Sequence, residues 1–162
     1  MLVAALVTVF ATLVPVFANA PDQKVGWPVV WLLSLLGGMA VVGPDTETRL
    51  FGLVGMDNVT RLAGDDRYET AADVAAYGVD EGGLGWNRVA IATGTNFPDA
   101  LAGGVLQGKV RSVMLLTRPT ALDSYTQAAL VANKADITTV TFFGGTGALP
   151  QLVRDAVLAA LE

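Results

Sequence analysis

The chain lacks two residue types on which much enzyme chemistry depends, because its 162 residues contain no cysteine and no histidine. Without them there is no thiol nucleophile, no Ser-His-Asp triad and no structural zinc site of the usual kind. Catalysis would then rest on carboxylates, lysine, tyrosine or a hard metal ion. We predict a binding protein with no catalytic residues, no cofactor and no metal site.

Positive charge is also scarce. Ten lysine and arginine residues stand against fifteen aspartate and glutamate residues, and the net charge is −5. A protein that binds nucleic acid needs a cationic surface to displace counterions from phosphates. The charge balance therefore excludes nucleic acid as a partner.

Charge is missing altogether from residues 1–20, which end in Ala18-Asn19-Ala20. Small residues at these positions suit a signal peptidase, so one interpretation is a signal peptide cleaved after Ala20. No lysine or arginine precedes the apolar run, and two alternatives stay open. The run can form buried strands of an incomplete module. Together with a second uncharged stretch at residues 25–44, it can instead form membrane-spanning helices of a tethered structural protein.

Residues 59–162 alternate between short apolar runs and amphipathic stretches. Three runs, at residues 89–92, 113–116 and 140–143, are apolar or nearly so without polar alternation. This pattern favours strands covered on both faces, as in a parallel sheet. Helical patterns lie between and around the runs. The sequence therefore predicts an α/β fold, a three-layer sandwich with a mainly parallel sheet.

The helical patterns carry start and stop signals. We expect a first helix to stop at Gly78, and a second to begin at Pro98 with Leu101 and Val105 facing inward. Asp123 is expected to cap a third helix. A final stripe at helical spacing is formed by Leu152, Val153, Ala156, Val157, Ala160 and Leu161.

An internal repeat is visible at an offset of 107 residues, from position 37 to position 144. Gly37-Gly38 and the helical stretch after it align with Gly144-Gly145 and the final helical stripe. We therefore divide the chain into residues 1–20, residues 21–58 as the C-terminal part of a preceding repeat, and residues 59–162 as one full module.

Candidate binding residues follow from the predicted sheet, because ligands of open α/β sheets gather at the carboxyl ends of the strands. These ends supply hydroxyls, amides, backbone N–H groups and a guanidinium, which suit a sugar or a phosphate. The simpler interpretation is that the glycines only make tight turns. The candidates are Thr93, Gly94, Asn96, Thr117, Arg118, Gly144, Gly145 and Thr146.

The densest charge cluster is Asp65-Asp66-Arg67-Tyr68-Glu69. The spacing favours Asp66 as a helix cap and Glu69 as the closing residue of a capping box. The alternative is that the carboxylates of Asp65, Asp66 and Glu69 hold a hard metal ion such as Mg²⁺.

Two arginines in this region have a separate predicted role. A guanidinium binds a phosphate or carboxylate through two hydrogen bonds. We therefore add Arg61 and Arg67 to the candidate site.

Four stretches in order resemble the cell wall-binding repeat of type 2. They are Arg61-Leu62-Ala63-Gly64-Asp65-Asp66-Arg67-Tyr68-Glu69-Thr70-Ala71, Ala92-Thr93-Gly94-Thr95-Asn96-Phe97-Pro98-Asp99-Ala100-Leu101, Leu115-Leu116-Thr117 and Gly144-Gly145-Thr146-Gly147-Ala148. The resemblance covers residues 59–162. The sequence differs from the family pattern at Arg111-Ser112-Val113, where the family places a small residue and a proline.

The resemblance implies a secreted, non-catalytic module with a Toprim-like fold at the bacterial cell wall. Such modules anchor proteins non-covalently to anionic wall polymers, either a polysaccharide or a teichoic-type polymer. They occur in tandem and associate in threes, so the implied protein partners are neighbouring modules or a homotrimer. An acidic chain needs a local cationic patch or a bridging divalent ion for this task. The patch candidates are Arg61, Arg67, Lys109, Arg111 and Arg118.

The Toprim-like layout that the resemblance implies also suggests an alternative function. It is a magnesium-dependent phosphoryl-transfer enzyme that uses Asp65, Asp66 and Asp99.

Overall fold

The fold is taken from a computed structural model, which describes residues 33–34, 43–96 and 98–162. The predicted cleavage after Ala20 and the first uncharged run lie outside these residues, as does most of the second run. Among the described residues, no helix has both the length and the apolar character needed to cross a membrane.

Eleven elements follow one another along the described chain. They are β1 (Leu33–Ser34), α1 (Pro44–Val54), a 3₁₀ turn (Met56–Asn58), β2 (Arg61–Leu62), α2 (Arg67–Asp80), β3 (Gly85–Thr93), α3 (Pro98–Lys109), β4 (Ser112–Thr117), α4 (Ser124–Asn133), β5 (Thr139–Phe143) and α5 (Gln151–Ala159).

The three long strands form one parallel sheet in the order β4-β3-β5. The register places Thr93 opposite Thr117, and Ala92 opposite Phe143, so the carboxyl ends of all three strands meet at one edge. The predicted parallel sheet is therefore confirmed. The strands β1 and β2 form a separate short parallel pair.

Helices cover both faces of the sheet. Val89 and Ile91 of β3 belong to a cluster with Leu130 of α4 and Val153 and Val157 of α5, all essentially without solvent contact. The alternate residues of the strands face the other way, because successive side chains of a strand point to opposite faces. There, Ala92 and Leu116 pack with Ala100 of α3. The three-layer α/β architecture is thus confirmed.

The predicted stop at Gly78 is wrong, because α2 continues to Asp80. A Cβ on Gly78 would lie 2.8 Å from Cδ1 of Leu84, and the Gly78 carbonyl accepts a hydrogen bond from the Leu84 N–H. The missing side chain therefore makes room for the chain that returns from the helix to β3. This glycine serves packing and does not terminate the helix.

The predicted inward face of α3 is also wrong. Leu101 and Val105 are 38% and 75% exposed, whereas Gly103 and Gln107 are buried. A Cβ on Gly103 would lie 2.7 Å from the ring of Phe143, so the helix is close enough to the sheet to exclude a larger residue. The side-chain amide of Gln107 donates to two strand carbonyls.

The starts of α3 and α4 agree with the prediction. Pro98 begins α3, and the Asp123 side chain accepts a hydrogen bond from the Tyr125 N–H at the start of α4. In α5, Val153 and Val157 are buried as the stripe predicts, but Leu152 is 72% exposed. The buried side of this last helix is therefore narrower than the sequence pattern indicates.

Candidate functional site

The carboxyl edge of the sheet lies beside the start of α2, which Asp66 caps. Its carboxylate accepts hydrogen bonds from the backbone N–H groups of Tyr68 at 2.8 Å and Glu69 at 3.1 Å. The Glu69 carboxylate returns to the N–H of Asp65, one residue before the cap. The predicted cap is therefore confirmed, while the capping box closes one residue earlier than its standard pattern.

Arg118, which follows β4, joins the caps of two helices. Its Nε donates to the Asp123 carboxylate at 2.9 Å, and its Nη2 donates to the Asp66 carboxylate at 3.1 Å. The guanidinium also lies over the Tyr68 ring, 4.4 Å from its centre. Because the Arg118 side chain is half exposed, the same group that ties α2 to α4 also faces solvent.

The pKa of Arg118 reflects these opposing surroundings. Partial burial favours the neutral form, but the hydrogen bond from Arg118 to Asp123 and the nearby negative charges raise the pKa above its ordinary value. The guanidinium is therefore held firmly in its charged form at this edge.

Arg67 and Tyr68 meet at Gly94, the residue after β3. The Arg67 Nη1 donates to the Gly94 carbonyl, and the Gly94 N–H donates to the Thr117 carbonyl at 2.9 Å. A Cβ on Gly94 would lie 2.5 Å from the Tyr68 ring and 3.2 Å from Cδ of Arg67. Both side chains therefore lie against a position that only glycine fits.

Arg67, Tyr68, Gly94 and Arg118 form a continuous chain of contacts, which we call the arginine edge. A guanidinium carries five N–H donors. Among the described residues, the hydrogen bonds use one donor of Arg67 and two of Arg118. Each arginine thus retains donors that can bind an anion.

The predicted site threonines Thr93 and Thr117 are buried. The Thr117 hydroxyl accepts from the Asp123 N–H at 2.9 Å and donates to the Ala121 carbonyl at 3.2 Å. The hydroxyls of Thr93 and Thr95 lie 2.9 Å apart. Thr93 and Thr117 therefore shape the loops from inside.

The exposed polar residues of the loop after β3 are Thr95 and Asn96. Asn96 is a predicted site residue, and Thr95 lies beside it in the same loop.

The part of the edge beside β5 is formed by Gly144 and the residues that follow it. Gly144 has a φ of 107°, and a Cβ there would lie 2.7 Å from a carboxylate oxygen of Asp99. The predicted residues Gly145 and Thr146 follow it and are exposed. The Arg154 guanidinium donates to the Gly144 carbonyl at 2.9 Å, so one carboxylate and one guanidinium lie beside the end of β5.

The other predicted cations lie elsewhere. Arg61 Nε donates to the Glu47 carboxylate of α1 at 2.9 Å, and this hydrogen bond lowers the pKa of Glu47. Lys109 and Arg111 both lie just before β4 begins, at the end of the sheet opposite Arg118. The described structure therefore places two of the five candidate cations, Arg67 and Arg118, in the arginine edge.

Acidic side chains surround the start of α2. The negative charge of Glu69, followed by burial and by the charges of Asp65 and Asp66, raises the pKa of Tyr125. Burial, followed by the charge of Glu69, raises the pKa of Asp73. The shift of Tyr125 thus arises mainly from negative charge nearby, and that of Asp73 mainly from burial.

The same carboxylates do not gather into a metal cage. In the part of the chain that the structure describes, no group of three or more acidic side chains is arranged to hold a metal ion. Asp66 is engaged with the start of α2 and with Arg118, while Asp99 lies against Gly144. The arrangement gives no support to the magnesium-dependent alternative.

Comparison with known proteins identifies the class. Residues 61–154 match the family model described as cell wall binding domain 2 (CWB2). The match spans more than half of the chain, and the chain belongs to this family. Membership gives it a cell wall-binding role and an association with the cell surface.

Two solved structures share the fold. The chain is 24% identical to Cwp6 from Clostridium difficile, with a TM-score of 0.55, over 61% of this chain and 15% of that chain. It is 19% identical to Cwp8 from Clostridium difficile, with a TM-score of 0.59, over 77% of this chain and 20% of that chain. The chain thus spans at most a fifth of either protein. No curated protein matches it.

Proposed function

We propose that residues 59–162 form a non-catalytic module that anchors a surface protein non-covalently to an anionic cell-wall polymer. The polymer is a polysaccharide or a teichoic-type polymer, and the arginine edge binds it. The observation that carries this proposal is the pair Arg67 and Arg118, joined through Tyr68 and Gly94, with donors left on both guanidiniums.

The contact chemistry must be short-ranged. The chain is acidic overall, and carboxylates lie close to the arginine edge. Screening at physiological salt limits repulsion to within a Debye length of about 8 Å. A hydrogen bond to a charged group contributes about 1.5–3 kcal/mol. The proposal therefore assigns affinity to directed bonds from the two guanidiniums, with the exposed Thr95 and Asn96 as neighbouring polar contacts.

The proposal is tested with purified cell walls. The full chain is sedimented with walls before and after chemical extraction of their anionic polymer, and the extracted polymer is then added as a competitor. We expect retention on intact walls, loss of retention after extraction, and release by the soluble polymer. Equal retention on extracted walls would contradict the proposal.

A second measurement addresses catalysis. Polymer size and free phosphate are followed after prolonged incubation with the full chain and Mg²⁺. We expect both to stay constant, because Asp66 is engaged in the cap of α2 and in the ion pair with Arg118. Progressive cleavage that requires Mg²⁺ would instead support the phosphoryl-transfer alternative.

We also propose that modules of this type associate, as a homotrimer or with neighbouring copies. The exposed apolar side chains Leu101, Val105 and Leu106 on α3 support this proposal, since association would remove them from water. Sedimentation of the wild-type chain and of Val105→Asp is the test. We expect assemblies in the wild type and a monomer in the variant. A wild-type monomer at high concentration would refute self-association of this chain.

Export with cleavage after Ala20 remains a proposal based on Ala18-Asn19-Ala20. N-terminal sequencing of protein recovered from the cell surface should find Pro21 as the first residue. Recovery of intact Met1 in the membrane fraction would favour the tethered alternative.

A further inference from the structure

The strand β5 lies at an edge of the three-stranded sheet. Within the described residues it pairs with β3 alone, so its outer edge has no strand partner. Thr139 and Thr141 are exposed, whereas most of β3 and β4 is buried. A strand edge of this kind presents backbone N–H and C=O groups that can pair with another strand.

The N-terminal part of the same chain contains a strand edge that is filled. There β2 pairs in parallel with β1, with Arg61 opposite Leu33 and Leu62 opposite Ser34. The helix α1 lies between these strands in the chain. A segment that follows the helix therefore returns to pair with the strand that precedes it.

The repeat offset relates this arrangement to β5. A shift of 107 residues moves β1 onto residues 140–141, which lie inside β5, and moves Pro44 at the start of α1 onto Gln151 at the start of α5. The order β1, α1, β2 thus corresponds to β5, α5 and a strand that would come next. By the same correspondence, a counterpart of β2 would pair with β5 as β2 pairs with β1.

From these correspondences we propose that the outer edge of β5 accepts a parallel strand with the sequence type of residues 59–62, contributed by the next copy of the module. Each module thereby gives its first strand to the sheet of the module before it. Neighbouring copies share a sheet and are held in a fixed relation, which a flexible linker would not provide.

The acceptor edge is already ordered for this pairing. Arg154 of α5 donates to the carbonyls of Leu149 and Gly144, each at 2.9 Å, and its guanidinium lies 5.0 Å from the centre of the Phe142 ring. These contacts fix the start of α5 against the end of β5. A pre-ordered edge costs less conformational entropy when a strand is added.

The test extends the full chain beyond Glu162 with a second copy of residues 56–66. By the repeat offset, Glu162 corresponds to Gly55. A copy that starts at residue 56 therefore gives the appended strand the same connection to α5 that β2 has to α1. Amide hydrogen exchange is then measured for residues 139–143. We expect exchange at the outer edge of β5 to slow by about tenfold or more, because strand pairing protects those amides.

Two control chains carry the same extension with Thr60→Pro in the appended copy, or with its residues scrambled. Slower exchange in β5 for the native extension alone supports the proposal, because proline disrupts a ladder. Equal exchange of the β5 amides in the unextended chain and all three extended chains overturns the proposal. Slower exchange that is confined to the amides of the β1–β2 pair overturns it as well. Neither outcome involves wall polymer, so a failure here is distinct from a failure of the proposed function.

Discussion

A single added methyl group at Gly94 should disturb the arginine edge and the stability of the module together. The Gly94→Ala methyl would lie 2.5 Å from Cε1 and 3.1 Å from Cζ of Tyr68. Tyr68 is 5% exposed and has Arg118 over its ring, so the ring cannot simply swing into solvent. The backbone or the ring must shift instead.

The magnitude follows from the contact type. Overpacking of a well-packed site costs typically about 1–3 kcal/mol. Replacing glycine by alanine also stiffens the unfolded chain, which offsets about 0.4–1 kcal/mol of that cost. We therefore expect Gly94→Ala to lower the free energy of unfolding by about 1–2 kcal/mol. Affinity for wall polymer should fall as well, because Arg67 contacts the same residue.

The matched control is Gly145→Ala, at the same edge of the sheet. A Cβ there would meet no atom within 4 Å. Its effect on stability should stay within about 0.5 kcal/mol. Urea unfolding of both variants, followed by circular dichroism, gives the comparison. Equal stability of the two variants would refute the assignment of Gly94 as a position closed by Tyr68.

Three further predictions use other contacts. Asp66→Ala should lower the free energy of unfolding by about 1–2 kcal/mol in urea titrations, because the cap of α2 is lost. Thr126→Val should cost about 1–3 kcal/mol in the same assay, since the buried hydroxyl donates to the Leu116 carbonyl. The hydrogen bond from Arg61 lowers the pKa of Glu47 in the folded protein. Its contribution to the free energy of unfolding is therefore complete above the ordinary carboxyl pKa, and it is lost as the pH falls through the lower folded value. Stability measured between roughly pH 5 and pH 3 should therefore fall more steeply in the wild type than in Glu47→Gln.

The strands could be predicted from the sequence because their signal is local. The continuous apolar runs at residues 89–92 and 113–116 lie inside β3 and β4, and the third run lies in β5. The cap at Asp66 was predictable for the same reason, since its partners follow within three residues. Local patterns carry this information without knowledge of the tertiary structure.

The orientation of α3 could not be predicted in this way. Leu101 and Val105 are at helical spacing, but the close approach of Gly103 to Phe143 decides which side faces the sheet. A pattern of apolar residues does not record how near a helix lies to its neighbour. The sequence pattern therefore predicted Leu101 and Val105 as core residues, although both are exposed.

The network around Arg118 was predictable only in part. Asp123 lies five residues away, but Asp66 lies 52 residues away and is brought close by the packing of α2 beside α4. The sequence analysis named Arg118 as a candidate without its structural partners. The burial of Thr93 and Thr117 likewise depends on the neighbouring loops, so their exposure could not be inferred from their position at strand ends.

The most direct test of the account is the affinity of Arg67→Ala for purified anionic wall polymer, compared with Lys109→Ala. Both variants remove one exposed positive charge, but Lys109 lies at the opposite end of the sheet. Unfolding measurements on both confirm that the protein is folded during titration, since loss of the bond to Gly94 should cost about 1 kcal/mol.

We expect Arg67→Ala to bind about tenfold to hundredfold more weakly, which corresponds to the loss of one charge-assisted contact of about 1.5–3 kcal/mol. Lys109→Ala should bind within about twofold of the wild type, because a charge so distant is largely screened. A folded Arg67→Ala protein with unchanged affinity would contradict the assignment of the arginine edge as the polymer-binding surface.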